Sequence, residues 1–541
     1  MAAEKEFDCI VIGAGHNGLI TAAYLARAGK KVCVLERRDV VGGCAVTEEV
    51  WPGYKVSTAS YVVSLLDPEI MRDLKLKEHG LRILPRVPSS FTPTRDGRHL
   101  MLGADPALNH EQIRKFSVRD AEAYPQFQSL LEKVAAQLEP LLSKSAPDLL
   151  PMPANWRRRT VGQRLKSATA AWRIRQALAQ LGNSLPEALE LISGAARPIL
   201  ERWFESDVLR ATLATDAIIG SFSSVSAPGT AYVLLHHVMG TAGGARGVWG
   251  YVEGGMGAIA ESIWKVCQQL GVTLVRECEV CSIDVAGGRV QSVTDRAGKS
   301  YTTRCVASGV DANLTFNRFL DQGTLPDEFR AAVNRIDYSS ATAKINLALN
   351  QLPEFRGLPA HQAGPQHMGT IHICDSMDWL ERAYDDAKYG RPSDRPILEI
   401  TIPSAVDHTL APTGKHLMNM FVQYTPYRLS GGKKWDDIKE GFADRCIDLL
   451  VEFAPNMRSA IEHRQVLSPV DLERVYGLTG GNIFQGAMSL NQLFSLRPIP
   501  GWADHRTPVQ GLYLCGAASH PGGGVMGICG RNAAHAILAD R

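Results

Sequence analysis

The residues of this chain whose types and spacing are best suited to chemistry are three glycines near its start. Gly13, Gly15 and Gly18 stand in the segment VIGAGHNG with the G-x-G-x-x-G spacing of a dinucleotide-binding turn. Gly13 permits the tight turn, Gly15 lets a pyrophosphate approach the backbone, and Gly18 lets a helix pack closely on a strand. Together with Ala14 and Asn17, they predict a binding site for NAD or FAD, because a helix N-terminus offers free N–H groups to phosphate.

The elements around these glycines complete a strand–turn–helix–strand pattern. Residues 7–12 form a short apolar run that is typical of a buried parallel strand. Residues 17–28 predict a helix that ends at Gly29, and residues 31–35 predict the second strand. Glu36 follows at about the spacing at which an acid binds a ribose hydroxyl, and it argues against a 2′-phosphate on the ligand.

A second glycine pair distinguishes between the two dinucleotides. Gly42 and Gly43 lie five residues beyond Glu36, in ERRDVVGGCA, and would give a second close backbone approach to the same nucleotide. NAD domains usually lack such a pair, and the E-x5-GG spacing resembles flavoproteins that include amine oxidases and carotenoid desaturases. This resemblance implies FAD. Arg37 is a candidate contact to the cofactor, although the pair Arg37–Arg38 is also typical of a solvated strand end.

The C-terminal segment GLYLCGAASHPGGGVMGICGRNAAHAIL predicts a second part of the same site. It contains a strand at 512–515, a glycine-rich loop that starts near Gly516, and a helix from about Gly527. The helix N-terminus near Met526 and Gly527 would stabilise the negative charge of a reduced flavin. Both ends of the chain would then belong to one domain, with a substrate region between them.

Over nearly its whole length the chain resembles the phytoene-desaturase-like FAD oxidoreductases, and within them the group of pyridine nucleotide-disulphide oxidoreductase domain-containing protein 2. The blocks that carry the resemblance include VIGAGHNG, ERRDVVGGCAVTEE, WFESDVLRATLATDAIIG, WGYVEGGMGA, DLERVYGLTGGNIFQGAMSL and LYLCGAASHPGGGVMG. The resemblance implies an α/β fold, in which a Rossmann-type FAD-binding domain of the flavin amine oxidase type holds an inserted α+β substrate domain. It implies FAD contacts at Gly13, Gly15, Gly18, Glu36, Gly43, the backbone of Val280, and residues 516–527.

The domain organisation predicted on this basis is discontinuous. Residues 1–76, 245–315 and 495–541 would form the FAD-binding domain, and residues 77–244 and 316–494 the substrate-binding domain. Two departures from the group are visible. A histidine often follows GGNIF in its members, whereas this chain has Gln485. The sequence lacks the N-terminal extension of the mitochondrial members, so we do not expect a mitochondrial location.

Composition limits the classes of function and location. The 541 residues carry a formal net charge of +2, which predicts no nucleic-acid partner. Eleven scattered cysteines form neither a disulfide framework nor a zinc array, and we expect reduced thiols in the cytoplasm, without signal, transit or membrane-spanning segment. We expect no metal site. The adjacent His236 and His237 do not share a helical face.

Two further motifs favour structural roles over chemistry. Gly255, Gly257 and Ala260 repeat the glycine spacing, but WGYVE before them does not predict a buried strand, so we interpret this stretch as a helix that packs on the FAD domain. The absence of a second nucleotide motif suggests that electrons leave to oxygen, a quinone or another acceptor. In CEVC, Cys278 and Cys281 would point to opposite faces of a strand and would not form a redox disulfide.

The segment 156–176, WRRRTVGQRLKSATAAWRIRQ, contains seven basic residues, two tryptophans and no acid. Two interpretations remain open for it. It predicts either a helix on a membrane surface, from which an enzyme could take a lipid-soluble substrate, or an ordinary solvated helix face. The sequence makes no prediction of oligomeric state.

The predicted activity is the dehydrogenation or desaturation of a large apolar substrate by hydride transfer to flavin N5. His520 is the candidate for a catalytic residue at the flavin face, while Tyr476, Asn482 and Gln485 are candidates for the substrate side. Two alternatives remain. The chain could bind FAD as a regulatory or interaction protein with little turnover, or it could be an amine oxidase-like enzyme, for which Trp502 gives weak support.

Overall fold

The computed structural model describes residues 7–146, 161–242, 244, 246–358 and 362–540. The helices are α1 (His16–Arg27), α2 (Pro68–Asp73), α3 (Pro106–Arg114), α4 (Val118–Leu142), α5 (Val161–Leu181), α6 (Leu185–Ser193), α7 (Ala196–Trp203), α8 (Asp207–Thr215), α9 (Thr230–Val238), α10 (Gly257–Gln269), α11 (Asp327–Asn334), α12 (Met377–Lys388), α13 (Trp435–Val451), α14 (Met457–Ala460), α15 (Pro469–Tyr476) and α16 (Ile528–Ala539).

The strands are β1 (Cys9–Ile12), β2 (Val32–Leu35), β3 (Glu48–Trp51), β4 (Tyr54–Val56), β5 (Ile83–Pro85), β6 (Ser90–Pro93), β7 (His99–Leu102), β8 (Gly250–Val252), β9 (Thr273–Val275), β10 (Val280–Ala286), β11 (Arg289–Asp295), β12 (Ser300–Thr302), β13 (Val306–Ser308), β14 (Thr342–Leu349), β15 (Thr370–Ile373), β16 (Ile397–Thr401), β17 (His416–Gln423), β18 (Ile461–Leu467) and β19 (Leu512–Leu514).

A parallel sheet in the order β19-β13-β1-β2-β9 forms the Rossmann-type part of the fold. The side chains on both faces of its strands are apolar, because other elements cover both faces of the sheet. Val11 packs with α1, α10 and α16 on one face, whereas Ile10 and Ile12 pack with β10–β12 and α11 on the other. The predicted fold class is confirmed, and the predicted elements around the glycine motif agree with β1, α1 and β2 to within two residues.

Other segments of the chain form a second, mainly antiparallel sheet in the order β18-β14-β17-β16-β15-β6-β7. Helices α4 and α7–α9 share its largest apolar cluster, which includes Phe91, Phe127, Ile345 and Ile400. The two sheets therefore use separate sets of chain segments. The residue boundaries of the two predicted domains stay a prediction.

One local prediction is wrong. The stretch WGYVE contains a short buried strand, β8, which pairs antiparallel with β5. Its partner at residues 83–85 lies far away in sequence, so three residues with no clear alternation give no local signal of the pairing. The strand is not part of the parallel sheet, and helix α10 after it packs against α1, in line with our interpretation of Gly255, Gly257 and Ala260.

Across the described ranges, no helix is both long and apolar enough to cross a bilayer. The location of the protein in the cell stays a prediction.

Candidate functional site

The turn between β1 and α1 leaves a helix N-terminus open. Gly13 has a φ of +92°, a conformation that favours glycine, and a Cβ on Gly18 would clash with the carbonyl oxygen of Gly13. Gly15 is the N-cap of α1, and neither a side-chain cap nor an acidic residue occupies the first turn. Asn17 follows in that turn and lines the same cavity as Gly15. The N–H groups of this turn are therefore available to a phosphate.

The second glycine pair lies directly against this turn. Gly42 donates its N–H to the carbonyl oxygen of Ala14 at 2.9 Å, which fixes the two loops together. A Cβ on Gly43 would lie 3.2 Å from the Cα of Gly15, so the two backbones meet with no space for side chains between them. Gly15, Gly42 and Gly43 all line the cavity, whereas Ala14 lies behind its wall.

Glu36 is buried at the end of β2, beside the glycine turn. Its Oε2 accepts the N–H of Ala14 at 2.7 Å, and its Oε1 accepts the N–H of Arg38 at 2.9 Å. Each carboxylate oxygen keeps a lone pair that can accept a hydrogen bond from a ribose hydroxyl. The N–H of Cys278 donates to the carbonyl oxygen of Glu36 at 2.8 Å, and this bond brings Val280 to the same cavity.

Two arginines after Glu36 connect the site to distant segments. Arg37 donates from Nη2 to the carbonyl oxygen of Val475 at 2.6 Å, and Arg38 forms an ion pair with Glu48 at 2.6 Å. The guanidinium of Arg38 also lies over the ring of Tyr476, which lines the cavity. Arg37 lines the cavity too, so it remains a candidate contact for the cofactor.

Gly516 also lines the cavity near the glycine turn, and we call this part of the cavity the cofactor end. A Cβ on Gly516 would clash with the carbonyl oxygen of Gly309. The side chain of Gln485 bridges this region, because its Nε2 donates to the Gly309 carbonyl at 3.1 Å and its Oε1 accepts the N–H of Ala518 at 3.0 Å. Gln485 lines the cavity, as predicted for a residue next to the substrate, and its amide also holds two loops of the cofactor end in place.

Besides Ala14, four sequence-predicted residues lie outside the cavity wall. Met526 and Gly527 precede α16 but do not line the cavity, since Gly527 packs on Ile20 and Gly524 lies in the wall instead. Asn482 is fully buried and satisfies backbone groups, accepting the N–H groups of residues 484 and 486 through Oδ1 and donating to the carbonyl oxygen of residue 339. The structure places these three residues outside the cavity wall, and the contacts predicted for them stay a prediction.

The fourth is His520, the predicted catalytic residue. It is 1 % exposed and lies outside the cavity wall, with its ring 6.3 Å from the ring of Phe494. Burial lowers the pKa of His520 to about 3, so its ring is neutral at physiological pH. The structure therefore places His520 among buried residues outside the cavity wall, and its catalytic role stays a prediction.

The residues of the cofactor end fit FAD by their chemistry. Backbone N–H groups at a helix N-terminus suit a pyrophosphate, and a buried carboxylate with free lone pairs suits a ribose. At Gly42, Gly43 and Gly516 a Cβ would meet the neighbouring backbone, so the wall at these positions is built for glycine. The residues that would hold FAD are Gly13, Gly15, Asn17, Gly18, Glu36, Arg37, Gly42, Gly43, Val280 and Gly516.

The same cavity continues beyond these residues into the second sheet. Its volume is about 720 Å³, and it extends from Gly13 and Glu36 to side chains of α4, α8 and the strands β14–β17. Much of the far half is apolar or aromatic, with Phe127, Leu131 and Leu213 among its lining residues. We call this far half the chamber.

One face of the second sheet forms a polar floor for the chamber. Lys344 on β14 pairs with Phe421 on β17, Phe421 pairs with Glu399 on β16, and Glu399 pairs with His372 on β15. Residues paired in register across neighbouring strands point to the same face, and all four line the cavity. Sequence analysis did not identify any of them, because the row exists only after four strands have paired.

Lys344 is the most unusual member of this row. Its side chain is 1 % exposed, and its Nζ has no hydrogen-bond partner within the described part of the chain. The Nζ lies 3.9 Å from the ring centre of Tyr61, whose hydroxyl reaches Oε2 of Glu399 at 3.5 Å. Burial holds the pKa of Lys344 well below its usual value. The amine is therefore available to accept a proton or to bind a ligand.

Two acids of the chamber also have altered pKa values. Burial raises the pKa of Asp216 to about 7, despite the nearby cation of Arg86. Burial and the charge of Asp216 raise the pKa of Glu399 to about 8, although a hydrogen bond from Gln423 at 2.8 Å opposes that increase. Titratable groups shifted towards neutral pH inside a cavity are typical of functional sites.

The remaining candidate motifs contribute no chemistry that the structure shows. His236 and His237 are buried on α9 and line the cavity. Within the described ranges, no three histidine, cysteine or acidic side chains come together as a metal site. Cys278 is buried near Asp295, whereas Cys281 is exposed, and both thiols are free.

Comparison with known proteins defines the class. The chain matches the flavin-containing amine oxidoreductase family over residues 18–538. It therefore belongs to that family, and it is a flavoprotein oxidoreductase whose cofactor is FAD.

The particular relatives agree with the predicted resemblance. The chain is 44% identical over 550 residues to pyridine nucleotide-disulfide oxidoreductase domain-containing protein 2 of Rattus norvegicus, covering 99% of this chain and 94% of the rat protein. It is 26% identical over 543 residues to a lycopene-forming phytoene desaturase of Pseudescherichia vulneris, covering 98% of each chain. The solved structure of a putrescine oxidase with bound putrescine has a TM-score of 0.61 at 15% identity and covers 99% of each chain, which shows a shared fold.

Proposed function

We propose that this protein is an FAD-dependent dehydrogenase or desaturase that removes a hydride from a large, mainly apolar substrate. The observation that carries this proposal is the continuity of the cavity, which joins the glycine-lined cofactor end to the chamber. A substrate in the chamber would lie next to the cofactor and away from bulk water. Bound FAD would accept the hydride at flavin N5.

The chamber walls support an apolar substrate. Side chains of α4 and α8, such as Phe127, Leu131 and Leu213, offer carbon surfaces on one side. Favourable binding of an apolar molecule requires such a surface, because each buried CH₂ contributes about 0.8 kcal/mol. The similarity to a phytoene desaturase, whose name describes a polyene product, favours the same substrate class for this chain.

Dehydrogenation of a C–C bond releases a proton together with the hydride, and the polar floor supplies an acceptor for it. Lys344 has an unpartnered amine whose pKa is lowered by burial, so the Nζ can take a proton at neutral pH. Glu399 is held in place by the amide of Gln423 and presents its other oxygen to Tyr61. The side chains of the polar floor would therefore handle the proton, whereas bound FAD would supply the acceptor for the hydride.

The proposal is tested by anaerobic reduction of the purified FAD-bound protein with a panel of substrates. We expect bleaching of the flavin absorbance by a polyene precursor or another terpenoid hydrocarbon, and none by short-chain primary amines. A Lys344→Met variant should keep its FAD but reduce at a rate about 100-fold lower, as is typical for loss of an acid–base group. Lys415→Met, which changes a partly exposed lysine in an ion pair with Glu462, is the matched control.

Other outcomes would contradict the proposal in distinct ways. Bleaching by amines alone would favour the amine oxidase-like alternative. Full FAD occupancy without bleaching by any class would favour a regulatory or interaction protein. Equal rates for the wild type and Lys344→Met would remove Lys344 from the reaction.

A further inference from the structure

We propose that helix α5 binds an anionic membrane surface, with an outward ridge of Leu165 and Trp172 in the headgroup region and arginines on either side facing lipid phosphates. This inference does not depend on the proposed reaction. It assigns a role to the part of the basic segment that the structure describes, residues 161–176. Residues 156–160 of that segment lie outside the described residues.

Helix α5 has two faces of opposite character. Ala177 and Leu181 are buried, whereas Leu165 is 62% exposed and Trp172 is 59% exposed. Leu165 and Trp172 are seven residues apart, so they lie within about 20° of each other around the helix. Thr169 lies between them and is exposed as well. The large apolar side chains of this ridge therefore point away from the body of the protein.

Basic side chains flank the ridge. Arg173 and Arg175 are both exposed, and helical geometry places them about 80° to either side of Leu165. No acidic residue occurs between 161 and 181. An apolar ridge between arginines is the arrangement of a helix that lies in a membrane interface, because the ridge enters the lipid boundary while the guanidinium groups reach the phosphates.

The ridge belongs to a helix that packs against a wall of the cavity. Helix α4 packs against α5 and contributes Leu131 and Glu132 to the cavity wall. Glu132 is exposed, and the next residue, Lys133, donates from Nζ to the hydroxyl of Ser184 at 2.9 Å, beside the C-terminal end of α5. A membrane-bound α5 would therefore bring this wall of the cavity close to the lipid.

A second copy of the chain fits the ridge less well than a membrane. A symmetric contact would place the same patch on both partners, so that Arg173 and Arg175 of one copy would face the arginines of the other. Like charges in such a contact repel one another. A stable protein interface also needs about 800 Å² from each partner, which is more than two large side chains on one helix provide.

Flotation of the FAD-bound protein with vesicles tests this proposal. We expect binding to vesicles of 70% phosphatidylcholine and 30% phosphatidylserine at low salt, and at least tenfold weaker binding to pure phosphatidylcholine. Trp172→Ser and the double variant Arg173→Glu/Arg175→Glu should each reduce binding to the anionic vesicles about tenfold or more. Trp172→Ser removes apolar contact alone, whereas the arginine variant acts through charge.

Matched controls separate a specific surface from general stickiness. Tyr389→Ser changes another large exposed side chain, which is 66% exposed, and should bind as the wild type does. Lys433→Glu/Lys434→Glu makes the same change in net charge on an exposed segment elsewhere and should lower binding less than twofold. Unchanged FAD content shows that each variant is folded.

Three results would overturn the proposal. The first is an absence of wild-type binding to the anionic vesicles at low salt. The second is equal loss of binding in the α5 variants and in their controls. The third is a concentration-dependent dimer in sedimentation experiments that Trp172→Ser abolishes, because that result would assign the ridge to a second copy of this chain.

Discussion

Helix α1 and helix α10 both begin within a G-x-G-x-x-[GA] stretch, and their N-termini differ in what surrounds them. At α1, the first turn lines the cavity and no side chain caps it. At α10, the N–H of Gly257 donates to Oγ1 of Thr47 at 2.8 Å, and the N–H of Met256 donates to Oγ of Ser57 at 3.0 Å. The same glycine spacing therefore leaves an open N-terminus at one helix and forms an intramolecular packing contact at the other.

This difference shows what turns a glycine motif into a binding site. The glycine spacing lets another group come close to the backbone. The rest of the fold decides whether that group is a ligand or another segment of the chain. At α1, the backbone faces a cavity beside the acid Glu36. At α10, the loop around Thr47 fills the place that a phosphate would need.

The largest expected effect is the loss of FAD on changing Gly15 to Ala. The backbone of Gly15 has a φ of −67°, and its Cβ would lie 3.9 Å from the nearest atom, the carbonyl oxygen of Gly42. The apoprotein therefore accepts the methyl group, which would fill space that the pyrophosphate needs. We expect about 100-fold weaker FAD binding, or about 2.8 kcal/mol, measured by titration of the apoprotein. Affinity within threefold of wild type would contradict the assignment of α1.

The matched change at the second motif, Gly257 to Ala, should affect stability instead. Its Cβ would lie 2.6 Å from the backbone nitrogen of Thr47, too close for any real contact. We expect a loss of about 2 kcal/mol in the free energy of unfolding, as for overpacking, measured by urea denaturation. FAD affinity of the folded protein should change less than threefold. A loss of FAD as large as in Gly15→Ala would mean that α10 also holds the cofactor.

A smaller effect is expected from Asp216→Asn in the chamber, away from both helix starts. Burial raises the pKa of Asp216 from 3.8 in the unfolded chain to about 7 in the folded protein. The folded state then binds more protons, so stability is highest at acid pH and falls as the pH rises towards 7. Between pH 5 and 7, the wild type should lose about 2 kcal/mol more than Asp216→Asn, measured by urea denaturation. Identical pH dependence would contradict the shifted pKa, and FAD affinity should not change.

The cofactor end could be predicted from sequence because its signal is local. Gly13, Gly15, Gly18 and Glu36 lie within one strand–helix–strand unit, and their spacing alone defines the turn and the acid. The C-terminal helix was predicted for the same reason. The exact wall was not, since Gly524 lines the cavity where Met526 and Gly527 were expected.

The chamber could not be predicted, because its residues meet only through long-range pairing. Lys344 and Glu399 are 55 positions apart and become neighbours on one face through β17 between them. All eight residues of β14 are buried, so no alternation marks Lys344 as facing a cavity. His520 and Asn482 show the limit of a local signal, since both are polar residues near glycines and both lie buried outside the cavity wall.

The central claim is that the open N-terminus of α1 holds the FAD pyrophosphate. The most direct measurement is a crystal structure of the protein with its bound FAD. We predict the pyrophosphate against the N–H groups of residues 15–18, with a ribose hydroxyl on the carboxylate of Glu36. A pyrophosphate at Gly255–Ala260, or an FAD that leaves the Gly13–Gly18 turn empty, would contradict it.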